Sequence, residues 1–430
     1  MMRGGSGTPW PSIGIVVLAM GLCAPAAAAD SPGPEGNGIR FSGFGTLGVV
    51  HAEAPDGWGF RRDINQPANG GGTRFDIDSR IGLQVNYAPV AQFELVGQVV
   101  ATRRAPYAKA IDSIEWAFVA YRPNADFTVR VGRVNLDQFL LSDYHNVGFA
   151  YLFARPPVEF YGSLPSALDG ADIARAWNVG GTQWRAKAYV GRAYSGDLSA
   201  DARTNVRPIF GFVVSREADG LLLRAGLSRA TLVDVAPALR PLLGGLSGLA
   251  AVPVASVAAE ADALRYRLDG SGTRVTFASI GLSYEWQDWQ VTSELTRAAG
   301  HRSATFSAGY VGLGRRFGPV TVFGIASRIH TPNLPVATPD WEAALTPVLG
   351  AAGAQQAQLL GAAAASAANH IGANQQTLSL GAHWDIQPRL GLKVQWDHVR
   401  IGANGGRLWS NATLEPGHAE VASVALVFVF

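Results

Sequence analysis

The chain has 430 residues, with 35 basic and 33 acidic side chains, a formal net charge of +2 at pH 7, and one cysteine. These counts exclude a disulfide framework, a cysteine-ligated metal site and a strongly basic nucleic-acid-binding protein. Charged residues make up only 16% of the chain, below the roughly 25% of ordinary soluble proteins.

The first residues have the pattern of an export signal. Arg3 supplies a positive charge, residues 13–20 form a short apolar run, and four alanines at 26–29 provide an A-x-A cleavage site. The run is too short for a stable membrane span, so the pattern predicts a signal peptide at 1–29 that directs the chain at least to the periplasm. A short lead at 30–38 follows.

The rest of the chain alternates repeatedly between apolar and polar residues with a period of two. The clearest case is 76–87, where Ile77, Ile81 and Leu83 share one face and Asp78 and Arg80 share the other. Such segments are typical of strands with one polar face. Sixteen strands are predicted, near 39–51, 76–87, 93–102, 112–121, 127–133, 170–179, 184–192, 209–215, 221–232, 275–286, 289–297, 305–317, 320–331, 375–386, 390–400 and 418–430.

The gaps between these segments alternate between long and short. This alternation is the pattern of a barrel that runs up and down, with tight turns at one rim and long loops at the other. A closed barrel pairs every backbone group with a neighbouring strand, so it can lie in a membrane without apolar helices. We therefore expect an all-β fold, a transmembrane antiparallel up-and-down β-barrel of about 16 strands, as a single domain over 39–430.

Two long stretches without formal charge need a separate interpretation. Residues 241–259 and 343–369 are rich in Ala, Gly and Ser and fall in the predicted long loops 233–274 and 332–374. Pro241, Pro253 and Pro347 interrupt them, which disfavours membrane helices. We expect short surface helices or mobile loop segments, and the alternative is a plug or lid over the lumen.

Several motifs that suggest enzymes lack their structural context. Residues 43–48 match G-x-G-x-x-G, but they lie inside a strand pattern, and Pro55 follows where a dinucleotide site needs a helix. The eight histidines lack zinc-ligand spacing, no G-x-S-x-G elbow is present, and adjacency does not make Ser142, Asp143 and His145 a triad. The sequence therefore predicts no catalytic residue, no cofactor and no metal site.

Several segments carry a resemblance to a known family. They are FSGFGTLGVV at 41–50, EWAFVAYRP at 115–123, VRVGRV at 129–134, NVGFAYLFARPPVEFYG at 146–162, and a last strand with Leu426, Phe428 and Phe430 at alternate positions. With these segments the chain resembles the Gram-negative outer-membrane porins of the trimeric general-diffusion type. The resemblance implies an outer-membrane location in contact with lipid, a homotrimer, and recognition of Phe430, Phe428 and Leu426 by the barrel-assembly machinery. No nucleic-acid partner is expected.

The resemblance also implies where the pore is narrowed. In these porins the third long loop folds into the lumen, and its carboxylates face basic residues on the opposite wall. The matching loop here is 134–169. The predicted constriction residues are Asp137, Asp143, Arg155 and Glu159 in the loop, with Arg80, Arg130, Arg185, Lys187, Arg224 and Lys393 on the wall. The alternative for each of them is an ordinary wetted charge that is paired with a neighbour.

These observations lead to one functional hypothesis and two rivals. The first is a porin that forms a water-filled channel for passive diffusion of small hydrophilic solutes and ions, without enzymatic activity. The second is a substrate-selective channel for anions such as carboxylates or phosphate, favoured by the excess of Arg over Lys among the wall candidates. The third, which no sequence feature supports, is a barrel enzyme or an adhesin.

Overall fold

The computed structural model describes residues 38–430 except 56–57, 68–70, 106–107, 163–164, 197–202, 234–238, 301–304, 333–334, 371, 404, 407–408 and 411–414. The predicted signal peptide at 1–29 and all but the last residue of the lead at 30–38 lie outside the described residues.

Sixteen long antiparallel strands form one closed sheet, as predicted. Each strand pairs with the next along the chain, and the first pairs with the last through Phe44–Glu53 and Glu420–Val429. The alternation of residue types therefore predicted both the strand number and the fold class. The strands are β1 (Ile39–Glu53), β2 (Arg80–Val90), β3 (Phe93–Thr102), β4 (Ile114–Asn124), β5 (Phe127–Asn135), β6 (Ala167–Val179), β7 (Thr182–Gly196), β8 (Arg203–Ala218), β9 (Leu221–Leu232), β10 (Arg274–Trp286), β11 (Trp289–Gly300), β12 (Phe306–Phe317), β13 (Val320–His330), β14 (Asn374–Gln387), β15 (Leu390–Ile401) and β16 (Gly417–Val429).

The connections at the two rims differ sharply in length. All seven turns at one rim have two residues, the length at which hairpins are tightest. The eight connections at the other rim are the loops L1 (54–79), L2 (103–113), L3 (136–166), L4 (197–202), L5 (233–273), L6 (301–305), L7 (331–373) and L8 (402–416). Both ends of the barrel domain lie on the side of the short turns.

Along each strand, successive residues face in turn the outer surface and the lumen of the barrel. On β2, Ile81, Leu83 and Val85 are exposed on the outer surface, whereas Gln84 and Asn86 between them are buried inside the barrel. Outward apolar side chains match a hydrocarbon environment, and inward polar side chains match a wetted or hydrogen-bonded lumen. The predicted strand at 76–87 begins only at Arg80, because the preceding Asp76 pairs with Arg74 and Arg103 in loop segments.

The seam between β1 and β16 is packed by aromatic rings. Gly43 and Phe430 exchange two backbone hydrogen bonds of 2.9 Å. The rings of Phe430 and Phe428 lie directly over Gly43 and Gly45, where any Cβ would collide with them. The predicted shared face of Leu426, Phe428 and Phe430 is thus the outward one, at the point where the barrel closes.

One glycine on β5 adopts a backbone conformation that other residues avoid. Gly132 has a φ of 133°, and a Cβ there would collide with the carbonyl oxygen of Ala117 on β4. Gly170 and Gly191 follow in register on β6 and β7. The row of three glycines lets these strands approach closely just below the stem of L3.

L5 and L7 contain helices that share a hydrophobic core. The first helix of the chain is the short α1 (Val158–Tyr161) in L3. L5 contains α2 (Arg240–Leu249) and α3 (Ala255–Leu268), and L7 contains α4 (Glu342–His370), which is kinked at Gly350, where φ is 72°. Leu246, Trp341 and Leu345 are buried between them, and Trp341 Nε1 donates to Glu260 at 2.8 Å. The expected surface helices are therefore present, but they pack on one another as a three-helix cluster. None of the helices in the described ranges is long and apolar enough to cross a bilayer.

Candidate functional site

L3 crosses the inside of the barrel at mid-height. Its residues bond to inward-facing side chains on β2, β7 and every strand from β9 to β16. The loop leaves β5 through a buried apolar cluster that includes Val134, Leu136 and Leu168. L3 is thus the element that occupies the lumen and is bound to most of its wall.

Opposite charges meet where L3 begins. Asp137 lies 3.1 Å from Lys187 Nζ and also binds Arg224. Arg130 binds Asp172 at 2.6 Å, and Lys187 lies 3.4 Å from the same carboxylate. Burial alone would raise the pKa of Asp137, but Arg224 and Lys187 bring that pKa well below its usual value. The five side chains form one connected network in which each charge has an opposite partner.

The next contacts of L3 are made to β11 and β12. The carboxylate of Glu294 accepts a hydrogen bond from the backbone N–H of Leu140 at 2.8 Å and another from Tyr310 at 2.8 Å. Tyr161, at the end of α1, also donates to Glu294. Burial raises the pKa of Tyr161, and the neighbouring Glu294 raises it further, so the phenol stays protonated and remains a donor.

Glu159 anchors α1 to the opposite wall. Its carboxylate accepts from Ser327 at 2.8 Å, from Gln375 at 2.6 Å and from Thr377. The residue is 1% exposed, and none of its bonded partners is charged. Three donors to one carboxylate can offset much of its desolvation, so Glu159 contributes a negative charge to this wall.

Arg155 joins the return leg of L3 to three strands or their flanks. Its guanidinium binds Asp78 at 2.8 Å and Asp397 at 2.7 Å, and lies 4.8 Å from the ring centre of Phe60. Burial alone would lower the pKa of Arg155, but the two carboxylates raise it above its usual value. It also reaches Ser423 on β16 at 3.4 Å. Arg155 therefore ties L3 to β15, β16 and the segment before β2.

Two wall bases bind the backbone of L3 instead of carboxylates. Lys393 donates to the carbonyl oxygens of Gly148 at 2.6 Å and Phe153 at 2.9 Å, and also to that of Tyr151. Arg80 donates to the carbonyl oxygen of Asn146 at 2.6 Å and to the Tyr151 hydroxyl at 2.7 Å. These bases fix the course of the loop, because each holds several atoms of it at once.

L1 and L8 cover this region from the side of the long loops. Short strands at Gly59–Phe60 and Trp409–Ser410 pair with each other. Trp58, Phe60 and Trp409 pack against inward residues of β1, β15 and β16 and against Val158 of α1. The lumen beside β1 and β16 is consequently filled above Arg155.

The predicted constriction residues fall into two groups by accessibility. Arg80, Arg130, Asp137, Arg155, Glu159, Lys187 and Lys393 are between 0% and 4% exposed and bond to L3 or the wall. Asp143, Arg185 and Arg224 are partly exposed inside the barrel. The resemblance implies loop acids that face wall bases across an aperture. In the structure Asp137 instead touches its bases, so these charges are paired directly.

Bases nevertheless outnumber acids on one side of L3. Beside β5 to β9, the four bases Arg130, Arg185, Lys187 and Arg224 face the three acids Asp137, Asp143 and Asp172, a formal balance of +1. Beside β11 to β14, neither Glu159 nor Glu294 has an ion pair with a base among the described residues. This asymmetry orients a field across the lumen.

Some important residues differ from the sequence expectation. Asp169, predicted within the constriction loop, lies on β6 with its side chain on the outer surface, where Arg133 binds it at 2.6 Å. The sequence analysis does not include Tyr310 among the predicted site residues. Its position could have been found from the alternation on β12, because Val311 and Leu313 face outward and Tyr310 therefore faces the lumen. In the described part of the chain, no group of three or more His, Cys, Asp or Glu is placed to hold a metal ion.

Comparisons with known proteins support the fold. No family model matches the chain, and no curated protein matches it. Among solved structures, the anion-selective porin from Comamonas acidovorans is 11% identical, with 91% of this chain and 100% of that chain covered and a TM-score of 0.50. Salmonella typhi OmpF is also 11% identical, with 92% and 98% covered and a TM-score of 0.49. OmpT of Vibrio cholerae is 9% identical, with 91% and 97% covered and a TM-score of 0.48.

The relation is one of architecture, because identities near a tenth carry no residue-by-residue correspondence. The match to the Comamonas acidovorans porin extends over 91% of this chain, which includes nearly all of its closed antiparallel sheet. The chain therefore has the fold of the bacterial outer-membrane porins.

Proposed function

We propose that this protein is an outer-membrane channel for passive diffusion of small hydrophilic solutes and ions. The observation that carries the proposal is the closed barrel with an apolar outer face, a polar inner face and a loop fixed inside the lumen. An apolar exterior keeps such a barrel in a membrane, and charged groups inside it select what passes. The proposal includes no enzymatic activity and no cofactor.

Three finer points belong to the same proposal. The signal peptide at 1–29 directs export and is removed. Leu426, Phe428 and Phe430 form the strand that the barrel-assembly machinery recognises. The functional unit is a homotrimer. These points rest on the sequence pattern and on the family resemblance, and the packing of Phe428 and Phe430 at the β1–β16 seam is compatible with the second of them.

A narrow, anion-preferring channel is the second candidate. The observation that favours it is the excess of bases on the β5–β9 side of L3, together with the many contacts that hold L3 against the wall. Guanidinium groups bind carboxylates and phosphates through two parallel hydrogen bonds. The partly exposed Arg185 and Arg224 are the groups that a passing anion would meet first.

Single-channel recording of the purified protein in a planar bilayer tests the proposal. A salt gradient gives the reversal potential, and its sign states which ion is preferred. Ohmic conductance in groups of three steps would support a trimeric diffusion channel. Small conductance that one carboxylate or phosphate blocks at low concentration would favour the selective channel. Folded protein without any conductance would contradict both candidates.

Charge removal from L3 tests which residues form the constriction. Asp143→Asn with Glu159→Gln removes two negative charges and should shift the reversal potential toward anion preference. A unit charge about 6 Å from an ion in water is worth about 0.7 kcal/mol, or roughly a factor of three in local concentration. Asp262→Asn with Glu342→Gln is the matched control, because these acids lie on α3 and at the start of α4, and not in the barrel. An unchanged reversal potential in the first variant would contradict the assignment.

A further inference from the structure

Exposed arginines lie along the outer face of the barrel near the long-loop rim. They occupy outward positions on β9, β10, β11, β13 and β15. All are exposed, and none has an ion pair with a carboxylate among the described residues. These residues, which we call the arginine arc, are Arg229, Arg274, Arg297, Arg328 and Arg400.

The arginine arc lies at the long-loop edge of the apolar band of the barrel. On β13, outward Val322 and Ala326 precede Arg328, which is eight residues from the first residue of that strand. Eight residues extend about 26 Å along a strand, which is about 20 Å of height at a tilt of about 40°. Because the apolar band of such barrels is about 25 Å tall, the backbone of Arg328 lies about 5 Å below the upper edge of the band, and its long side chain can extend that far to the lipid headgroups.

Strand register places two of these arginines on one line. Arg328 on β13 pairs with Gln376 on β14, which pairs with Arg400 on β15. Neighbouring strands are about 4.8 Å apart, so the two arginine backbones lie about 10 Å apart on the same face. Two guanidinium groups with an amide between them provide a row of donors, and long arginine side chains can converge across that distance on one phosphate group.

The opposite arc of the barrel is built differently. There, outward or rim arginines are neutralised by neighbouring acids. Arg103 binds Asp76, and Arg133 binds Asp169 at 2.6 Å. Arg104 lies 3.7 Å from Glu115. The positive charge near the long-loop rim is therefore uncompensated mainly on the side from β9 to β15.

We propose that the arginine arc docks phosphorylated headgroups of lipids in the outer leaflet, with Arg328, Gln376 and Arg400 as its most closely spaced site. The inference rests on the proposed outer-membrane location, because only that location brings headgroups to this depth. Charge complementarity identifies the occupant: a row of exposed arginines that bind no carboxylate among the described residues matches an anionic phosphate layer. The neighbouring outward acid, Glu420, binds His398 at 2.6 Å. The lipid would then hold this side of each barrel in a fixed orientation.

Lipid binding to the detergent-solubilised protein tests the proposal, with native mass spectrometry as the readout. The probe is a phosphatidic acid, which carries an exposed phosphate, and phosphatidylcholine is the comparison lipid. We expect the wild-type protein to bind phosphatidic acid in preference to phosphatidylcholine. Each arginine at a charged surface is worth about a factor of five in affinity, so Arg328→Gln with Arg400→Gln should weaken binding about 25-fold.

Arg175→Gln with Arg315→Gln is the matched control, because both arginines are exposed on strands close to the short-turn rim. This variant should retain wild-type affinity. Equal losses in both double variants, or no preference of the wild-type protein for phosphatidic acid, would overturn the proposal. Competition by millimolar inorganic phosphate as strong as that by the lipid would point to a free-anion site and would also overturn it.

The channel and the lipid site can fail separately. Arg328→Gln with Arg400→Gln leaves the lumen unchanged, so its single-channel conductance should equal that of the wild-type protein. A protein that binds phosphatidic acid as expected but does not conduct would contradict the channel function and retain the lipid site. A conducting protein whose affinity for phosphatidic acid is unaffected by the substitutions in the arginine arc would contradict the lipid site and support the channel function.

Discussion

Arg155→Leu is the substitution that most directly tests how L3 is held. In the native structure one guanidinium, 2% exposed, binds Asp78 and Asp397 at 2.8 and 2.7 Å. Leucine fills much of the same volume but provides no donor and no charge. Two buried carboxylates would then lose their shared partner, and the return leg of L3 would lose its ion pair with β15. The backbone contacts with Lys393 and Gln395 would still hold the leg to that strand.

The expected loss of stability follows from the burial of all three groups. Removing one partner of a buried ion pair costs about 3–5 kcal/mol, because the other charge is left uncompensated. Replacing every member of such a group with neutral side chains is often nearly neutral. The triple variant Arg155→Leu, Asp78→Asn, Asp397→Asn should therefore recover most of the stability that Arg155→Leu loses.

Urea unfolding of the protein in lipid vesicles measures these differences. Tryptophan fluorescence and the heat-dependent mobility of folded barrels on gels give two independent readouts. Single-channel recordings should show larger current fluctuations in Arg155→Leu than in the wild-type protein, because L3 is less restrained. The reasoning is refuted if Arg155→Leu is as stable as the wild-type protein, or if the triple variant is no more stable than the single one.

Three further predictions concern the barrel and the beginning of L3. Gly132→Ala should lower the free energy of unfolding by about 1–3 kcal/mol, since its backbone conformation disfavours a side chain; Gly97→Ala, where a Cβ meets open space, should change it little in the same urea titration. Gly43→Val should slow folding into vesicles by displacing the ring of Phe430, and adding Phe430→Ala should restore the rate if that collision is the cause. The pKa of Asp137 is lowered in the folded protein, so its ionised carboxylate stabilises the fold. This stabilisation is fully present above the unfolded pKa of about 3.9 and is lost as the pH falls through the lower folded pKa. If the free energy of unfolding of Asp137→Asn and of the wild-type protein declined equally below about pH 4, this reasoning would be contradicted.

The sequence predicts the strands well because a barrel wall imposes a local rule. Every residue of β15, for example, alternates between lipid and lumen, so Lys393, Gln395 and Asp397 reveal their common face without any tertiary information. The positions of the short turns are predictable for the same reason, since they interrupt this alternation briefly. Only the turns at 287–288 and 318–319 are predicted with the observed length of two residues. The position of L3 in the chain is predictable because the gap between the fifth and sixth predicted strands is one of the longest.

The partners of the lumen residues could not be predicted in the same way. Lys393 binds the backbone carbonyl of Gly148, which is 245 residues away in sequence, and a carbonyl group carries no signature of residue type. Likewise, Asp169 and Asp172 must lie on opposite faces of a strand because they are three residues apart, but which of the two faces inward emerges only once β6 is paired with β5 and β7. The helices of L5 and L7 could be anticipated, but their shared core requires two loops to meet.

The unequal rims have a consequence for the order of membrane insertion. Under the proposed export to the periplasm, the long loops would have to pass through the bilayer, whereas the turns of two residues would remain on the side of entry. α3 carries Glu260, Asp262, Arg265 and Arg267, and charged groups of this kind are costly to move through hydrocarbon. The least costly route is a sheet that is still open between β1 and β16 when L5 and L7 cross, so the edge bearing Gly43 and Phe430 would be the last to join.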